Sequence, residues 1–196
     1  FYADEGLVAE YDAQGVELRS YGYKPDSTWT TDPLWLRQNG EYYFYQNDHL
    51  GTPQKLVAMN GAVVWAASYT AFGKASVDVD TVTNNLRFPG QYYDAETGLH
   101  YNGFRYYDPK IGRYLRTDPI GLLGGVNIFL YSQNTPVNNI DPEGLNALAG
   151  VLAGGKIGGV IGGIPGAVAG GVIGGIAGVI IGHLIVDALS HDDAIP

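Results

Sequence analysis

Apolar and polar residues alternate in short runs along most of this chain, and turn signals separate the runs. Leu7-Val8-Ala9-Glu10-Tyr11 and Val16-Glu17-Leu18-Arg19-Ser20-Tyr21 flank Asp12-Ala13-Gln14-Gly15, a strand–turn–strand pattern in which Gly ends the turn. The pattern recurs in Leu56 to Tyr69 around Met59-Asn60-Gly61, where Asn-Gly supplies residues that tolerate positive φ. It returns in Gln91 to Tyr101 around Glu96-Thr97-Gly98, and in Arg105 to Tyr114 around Lys110-Ile111-Gly112. A lone hairpin cannot cover its apolar face, so the units are expected to stack into an extended sheet. The fold class expected here is mainly β.

Past Leu145 the period changes. Gly150, Gly154, Gly158, Gly162, Gly166, Gly170, Gly174, Gly178 and Gly182 recur at intervals of four, separated mainly by Ile, Val, Leu and Ala. On a helix they fall along one slowly drifting face, a groove that a second helix can approach closely. Ile157 to Val186 runs 30 residues without a charge, longer as a helix than the roughly 30 Å hydrocarbon core of a bilayer. Pro165 interrupts that run, so a single span from Gly166 to Val186 is preferred. A helical hairpin would carry Lys156 into lipid. The expected tail is a glycine-zipper α-helix suited to a membrane. A flexible linker and apolar packing against the β part are the alternative readings.

Composition sharpens the boundary. All 15 tyrosines, three tryptophans and six phenylalanines precede residue 146, whereas the last 51 residues hold 14 of the 29 glycines. Tyrosine suits a sheet with one wet face, because its ring packs on the pleat while its hydroxyl finds water or backbone; a sugar-binding aromatic platform is the alternative. A net charge of −9 with only 11 Lys and Arg excludes the basic patch that nucleic acid requires. The absence of cysteine removes disulfides, thiolate nucleophiles and Cys-based zinc sites. His183, Asp187, His191, Asp192 and Asp193 enclose no site, so neither metal nor cofactor is expected. Phe1-Tyr2-Ala3-Asp4-Glu5 begins in mid-pattern and lacks the order of a Sec signal peptide.

A set of motifs in fixed order carries a resemblance. Asp48-His49-Leu50-Gly51-Thr52-Pro53, Ala71-Phe72-Gly73, Phe88-Pro89-Gly90-Gln91-Tyr92-Tyr93-Asp94, Thr97-Gly98-Leu99-His100-Tyr101-Asn102, Arg105-Tyr106-Tyr107-Asp108-Pro109, Gly112-Arg113-Tyr114 and Asp118-Pro119-Ile120-Gly121-Leu122 together resemble the Rhs (YD-repeat) associated core. The similarity covers about residues 41–145, with weaker repeat character before it. It implies a strip of a β-sheet that, with upstream shell repeats, spirals into a hollow shell around a C-terminal toxin.

Asp118-Pro119-Ile120-Gly121-Leu122 is echoed 23 residues later by Asp141-Pro142-Glu143-Gly144-Leu145. Asp-Pro-x-Gly is first of all a turn: Asp bonds the backbone ahead, Pro presets φ, and Gly takes the awkward conformation. Two such carboxyls brought together could also share a proton, one activating water while the other polarises a carbonyl. The resemblance implies that second use: related shells end in the doubled motif and cut themselves after its second Leu. Carried over, the scissile bond is Leu145–Asn146 and the acid/base pair is Asp118 and Asp141. Arg113 is the candidate electrostatic support, with a surface salt bridge as its alternative. Asn127 to Asn138, between the motifs, is expected to form a short apolar helical turn followed by a loop.

The expected organisation is a repeat fragment over 1–40, the associated core over 41–145, and the membrane-inserting tail over 146–196. The resemblance further implies production in a bacterial cytoplasm, type VI secretion without a Sec signal, a cognate immunity protein and a target-cell membrane on which the freed tail acts. A non-toxic repeat protein anchored by its tail, or a truncated remnant, is the competing expectation.

Overall fold

The computed structural model describes residues 1–145 and, beyond them, the short strand Leu148–Ala149. The chain runs through β1 (Tyr2–Ala3), β2 (Gly6–Leu7), β3 (Ala9–Tyr11), β4 (Glu17–Tyr23), β5 (Pro33–Gln38), β6 (Glu41–Asn47), β7 (Pro53–Ala58), β8 (Val63–Tyr69) and β9 (Ala75–Asp80). There follow β10 (Tyr92–Asp94), β11 (Leu99–Asn102), β12 (Arg105–Asp108), β13 (Arg113–Tyr114), β14 (Asn139–Ile140) and β15 (Leu148–Ala149). Strands β3 to β9 form one seven-stranded antiparallel sheet in sequence order, and β10 to β13 a four-stranded one. The four hairpins read from the alternation are all present, as β3–β4, β7–β8, β10–β11 and β12–β13. Because β5 and β6 pair on either side of residue 40, a single sheet continues across that position.

Turn chemistry explains the hairpins. Asp12 Oδ1 accepts the Gln14 and Val16 amides at 2.9 and 2.8 Å, and Asp48 Oδ1 accepts those of Leu50 and Thr52, both at 2.9 Å. Asp94 and Asp108 likewise hold the amides of Glu96 and Lys110. Gly98 and Gly112 close these two turns at φ +72° and +69°, where a side chain would be strained. Register shifts at β3–β4, β4–β5, β6–β7, β7–β8 and β8–β9 increase the local twist and bend the sheet.

Two cores follow from the period of two. On one face of the large sheet Tyr21 lies opposite Leu36, and Leu56 opposite Trp65, all buried. Leu7, Val82 and Leu86 pack against them. Phe88, Tyr107, Tyr114 and Tyr131 form the second core, under the small sheet. Tyr23, Tyr69 and Tyr107 act as packing residues with satisfied hydroxyls: Tyr23 donates to the Leu7 carbonyl at 2.7 Å, Tyr69 to Pro53 at 2.9 Å and Tyr107 to Phe72 at 2.8 Å.

The expected helical turn at Asn127 is absent. Helical character between the Asp-Pro motifs is confined to two 3₁₀ turns, Gly121–Gly124 and Ser132–Asn134. The segment instead buries Tyr131 in the second core and bridges Leu130 to Arg113, so tertiary packing overrides the local apolar run. The glycine ladder from Gly150 to Gly182 lies outside the described residues. Among those described, no helix is long and apolar enough to cross a membrane.

Candidate functional site

Both Asp-Pro motifs use the aspartate turn of the hairpins. Asp118 Oδ1 accepts the Ile120 amide at 3.0 Å, and Asp141 Oδ1 accepts the Leu145 amide at 3.1 Å. Each carboxylate thus retains a second oxygen for another partner. That partner is shared: Arg105 Nη2 lies 3.0 Å from Asp118 Oδ2 and 3.2 Å from Asp141 Oδ2. All three residues are buried, Arg105 and Asp141 at 2 % exposure and Asp118 at 7 %. Residues 23 apart in sequence therefore meet at one guanidinium nitrogen.

Arg105 is fixed on every side. Its Nε donates to the Gly144 carbonyl, its Nη1 to the Ile128 carbonyl at 3.2 Å, and its guanidinium lies 3.5 Å from the centre of the Tyr114 ring. Tyr114 Oη donates to Asp141 Oδ2 at 2.8 Å, and Asn102 Nδ2 reaches both the Tyr114 hydroxyl at 2.7 Å and the Asp141 carbonyl at 3.0 Å. One cation faces two carboxyls, so the site is neutral when the pair keeps one proton. Burial raises the pKa of Asp118 above its ordinary value, opposed by the Ile120 amide and by Arg105.

The predicted support, Arg113, is not part of this arrangement. It stands on β13 opposite Asp108 with its side chain exposed, whereas its neighbour Tyr114 points inward. The alternation of β12 supplies the reason. Tyr107 is an inward core residue, so Arg105, two positions earlier, must point inward too. That parity was the available signal for Arg105; Tyr114 and Asn102 share the inner face.

Glycines let the second motif dock. A Cβ on Gly90 would collide with the Pro142 backbone, one on Gly103 with Glu143, and one on Gly144 with the Asn102 carbonyl. At Gly124 a Cβ would fall 2.6 Å from Asp118 Oδ2 and 3.0 Å from the Leu145 carbonyl oxygen. The bare Gly124 therefore leaves Asp118 and the Leu145 carbonyl facing a common space. Leu145 is described; Asn146 lies outside the described residues. Beside the turn, Glu143 lines an open pocket of about 340 Å³ with Trp29, Tyr101, Gly103 and Phe104. Among the described residues no group of three or more His, Asp or Glu could hold a metal ion.

The family model described as RHS protein matches residues 43–78. The chain is 37% identical over 161 residues to double-stranded DNA deaminase toxin A of Burkholderia cenocepacia, covering 72% of this chain and 11% of that protein. It is 31% identical over 153 residues to the tRNA3(Ser)-specific nuclease WapA of Bacillus spizizenii, covering 74% of this chain and 6% of the relative. The chain thus spans about a tenth or less of these relatives. Among solved structures, TcdB2-TccC3-TEV superposes with a TM-score of 0.51 at 21% identity, over 71% of this chain and 10% of that one, a likeness of fold.

Proposed function

The chain belongs to the Rhs family, and on that premise we propose that it is the carrier end of a polymorphic toxin that cuts itself once, after Leu145, to free the segment that follows. The observation that supports this is the buried trio of Asp118, Arg105 and Asp141, placed beside the Leu145 carbonyl by the bare Gly124. In the proposed reaction Asp118 gives its proton to the Leu145 carbonyl oxygen, while ionised Asp141 takes a proton from water. The water oxygen bonds to the Leu145 carbonyl carbon. The tetrahedral diol then collapses: Asp141 returns its proton to the Asn146 nitrogen, the C–N bond breaks, and Asp118 recovers a proton from the diol. A Leu145 carboxyl group and a free amino terminus at Asn146 result. Arg105 holds the carboxyls together and lets only one keep a proton.

The relatives named above carry different activities by name, a deaminase and a nuclease, although both match a large part of this chain, 72% and 74% of it. That supports a shared carrier with exchangeable effectors. Here the effector is proposed to be residues 146–196, whose glycine ladder and uncharged run favour insertion into a target membrane. Upstream shell repeats, type VI delivery and an immunity protein in the producer complete this proposal.

The test is to purify the full chain and follow it by intact mass and by amino-terminal sequencing of any small fragment. A fragment beginning at Asn146 is expected, absent from Asp118→Asn and Asp141→Asn. A cut of unchanged rate in Asp118→Asn would sink the assignment. Dye release from anionic liposomes is expected with the cut chain and not with uncut Asp118→Asn; equal release, or none, would remove the membrane role.

A further inference from the structure

Within the proposed self-cleavage, we propose that Tyr114 is a positioning residue that sets the division of roles inside the carboxyl pair, holding Asp141 as the water-activating member. The inference rests on that functional reading and deepens it.

The direction of the hydrogen bonds carries the argument. Asn102 Nδ2 can only donate, and it lies 2.7 Å from the Tyr114 hydroxyl oxygen. The hydroxyl is therefore an acceptor towards Asn102, and its own proton is directed to Asp141 Oδ2, 2.8 Å away. Burial, with the nearby Asp141 charge, pushes the Tyr114 phenol well above its ordinary value, so this donor persists across the working pH range. Asp141 thus receives Tyr114, Arg105 and the Leu145 amide, whereas Asp118 receives Arg105 and the Ile120 amide. Donors aimed at a carboxylate favour its ionised form. The asymmetry leaves Asp141 ionised and the proton on Asp118, beside Gly124 and the Leu145 carbonyl. The titratable or charged groups facing Asp141 among the described residues are Arg105, Tyr114, Asp118 and Tyr131.

Tyr114→Phe is a selective probe, because the ring remains to pack on Tyr107 and Tyr131 and to lie under the Arg105 guanidinium. In the full chain it should slow release of the fragment on the order of tenfold, the effect of one charge-assisted hydrogen bond. It should also move the acidic limb of the pH–rate profile to higher pH. A residue that only packs would lower thermal stability and leave that limb in place. A wild-type rate and an unmoved limb in Tyr114→Phe would overturn the inference. A second measurement does not depend on cleavage. In the full-length Asp118→Asn chain, carbon-13 NMR of aspartate carboxyls should show Asp141 titrating at higher pH once Tyr114→Phe is added. An unmoved titration refutes the role of Tyr114, whereas a moved titration, together with a wild-type chain that never cuts, refutes only the cleavage reading.

Discussion

Gly124→Ala separates the geometry of the proposed reaction from its chemistry, because it alters neither carboxyl, Arg105 nor the bond to be cut. The Gly124 backbone lies outside the left-handed region, so alanine brings no backbone strain. Its methyl would stand 2.6 Å from Asp118 Oδ2 and 3.0 Å from the Leu145 carbonyl oxygen, where ordinary contact begins at 3.4 Å. The carboxyl must therefore retreat by about 0.8 Å (3.4 − 2.6) or the carbonyl must turn away. Misplacement by ~1 Å costs a positioned reaction roughly a hundredfold in rate, about 2.7 kcal/mol of barrier. Overpacking should lower stability by about 1–3 kcal/mol. The assay is a time course of intact mass on full-length Gly124→Ala, with circular dichroism to confirm the β content. A folded Gly124→Ala chain that cuts at the wild-type rate would refute the placement of Asp118 against the Leu145 carbonyl.

Arg105→Met removes the one cation between two buried carboxyls, so it should abolish cleavage and lower neutral-pH stability by roughly 3–5 kcal/mol in urea unfolding. The loss should shrink at acid pH, where the carboxyls protonate. His100 is buried with Nδ1 2.6 Å from Gln91 Oε1, and burial, aided by Arg87, depresses its pKa to about 3. The native state then binds fewer protons than the unfolded one between about 6.5 and about 3. Stability present above about pH 6.5 should fall by up to ~1.4 kcal/mol per unit on acidification, a slope that His100→Gln should flatten. Gly90→Ala should destabilise the chain without touching any carboxyl, since its methyl meets the Pro142 backbone and its φ is +82°; a lowered melting temperature checks this.

Much of the molecule is local and was therefore legible. Hairpins declare themselves through alternation and through turns whose Asp and Gly make contacts two to four residues away, as Asp12, Asp94 and Asp108 do. The doubled Asp-Pro motif was equally visible, since each copy is a short-range turn. The reading of Asn127 to Asn138 went astray where burial of Tyr131 outweighed local preference.

By itself, then, the sequence determined a mainly β chain of repeated hairpins, a compositional boundary at Leu145, and the aspartates worth testing. Only the tertiary structure decided that Asp118 and Asp141 meet, and that Arg105 rather than Arg113 joins them. Both arginines precede a tyrosine, and composition cannot tell them apart. Side chains on a strand alternate between faces, and the pairing of Tyr107 with Tyr114 in the β12–β13 register settles which face is interior. An ionised group becomes chemically useful when burial removes its water and fixed protein partners take that water's place, and burial belongs to the assembled sheets rather than to any one segment.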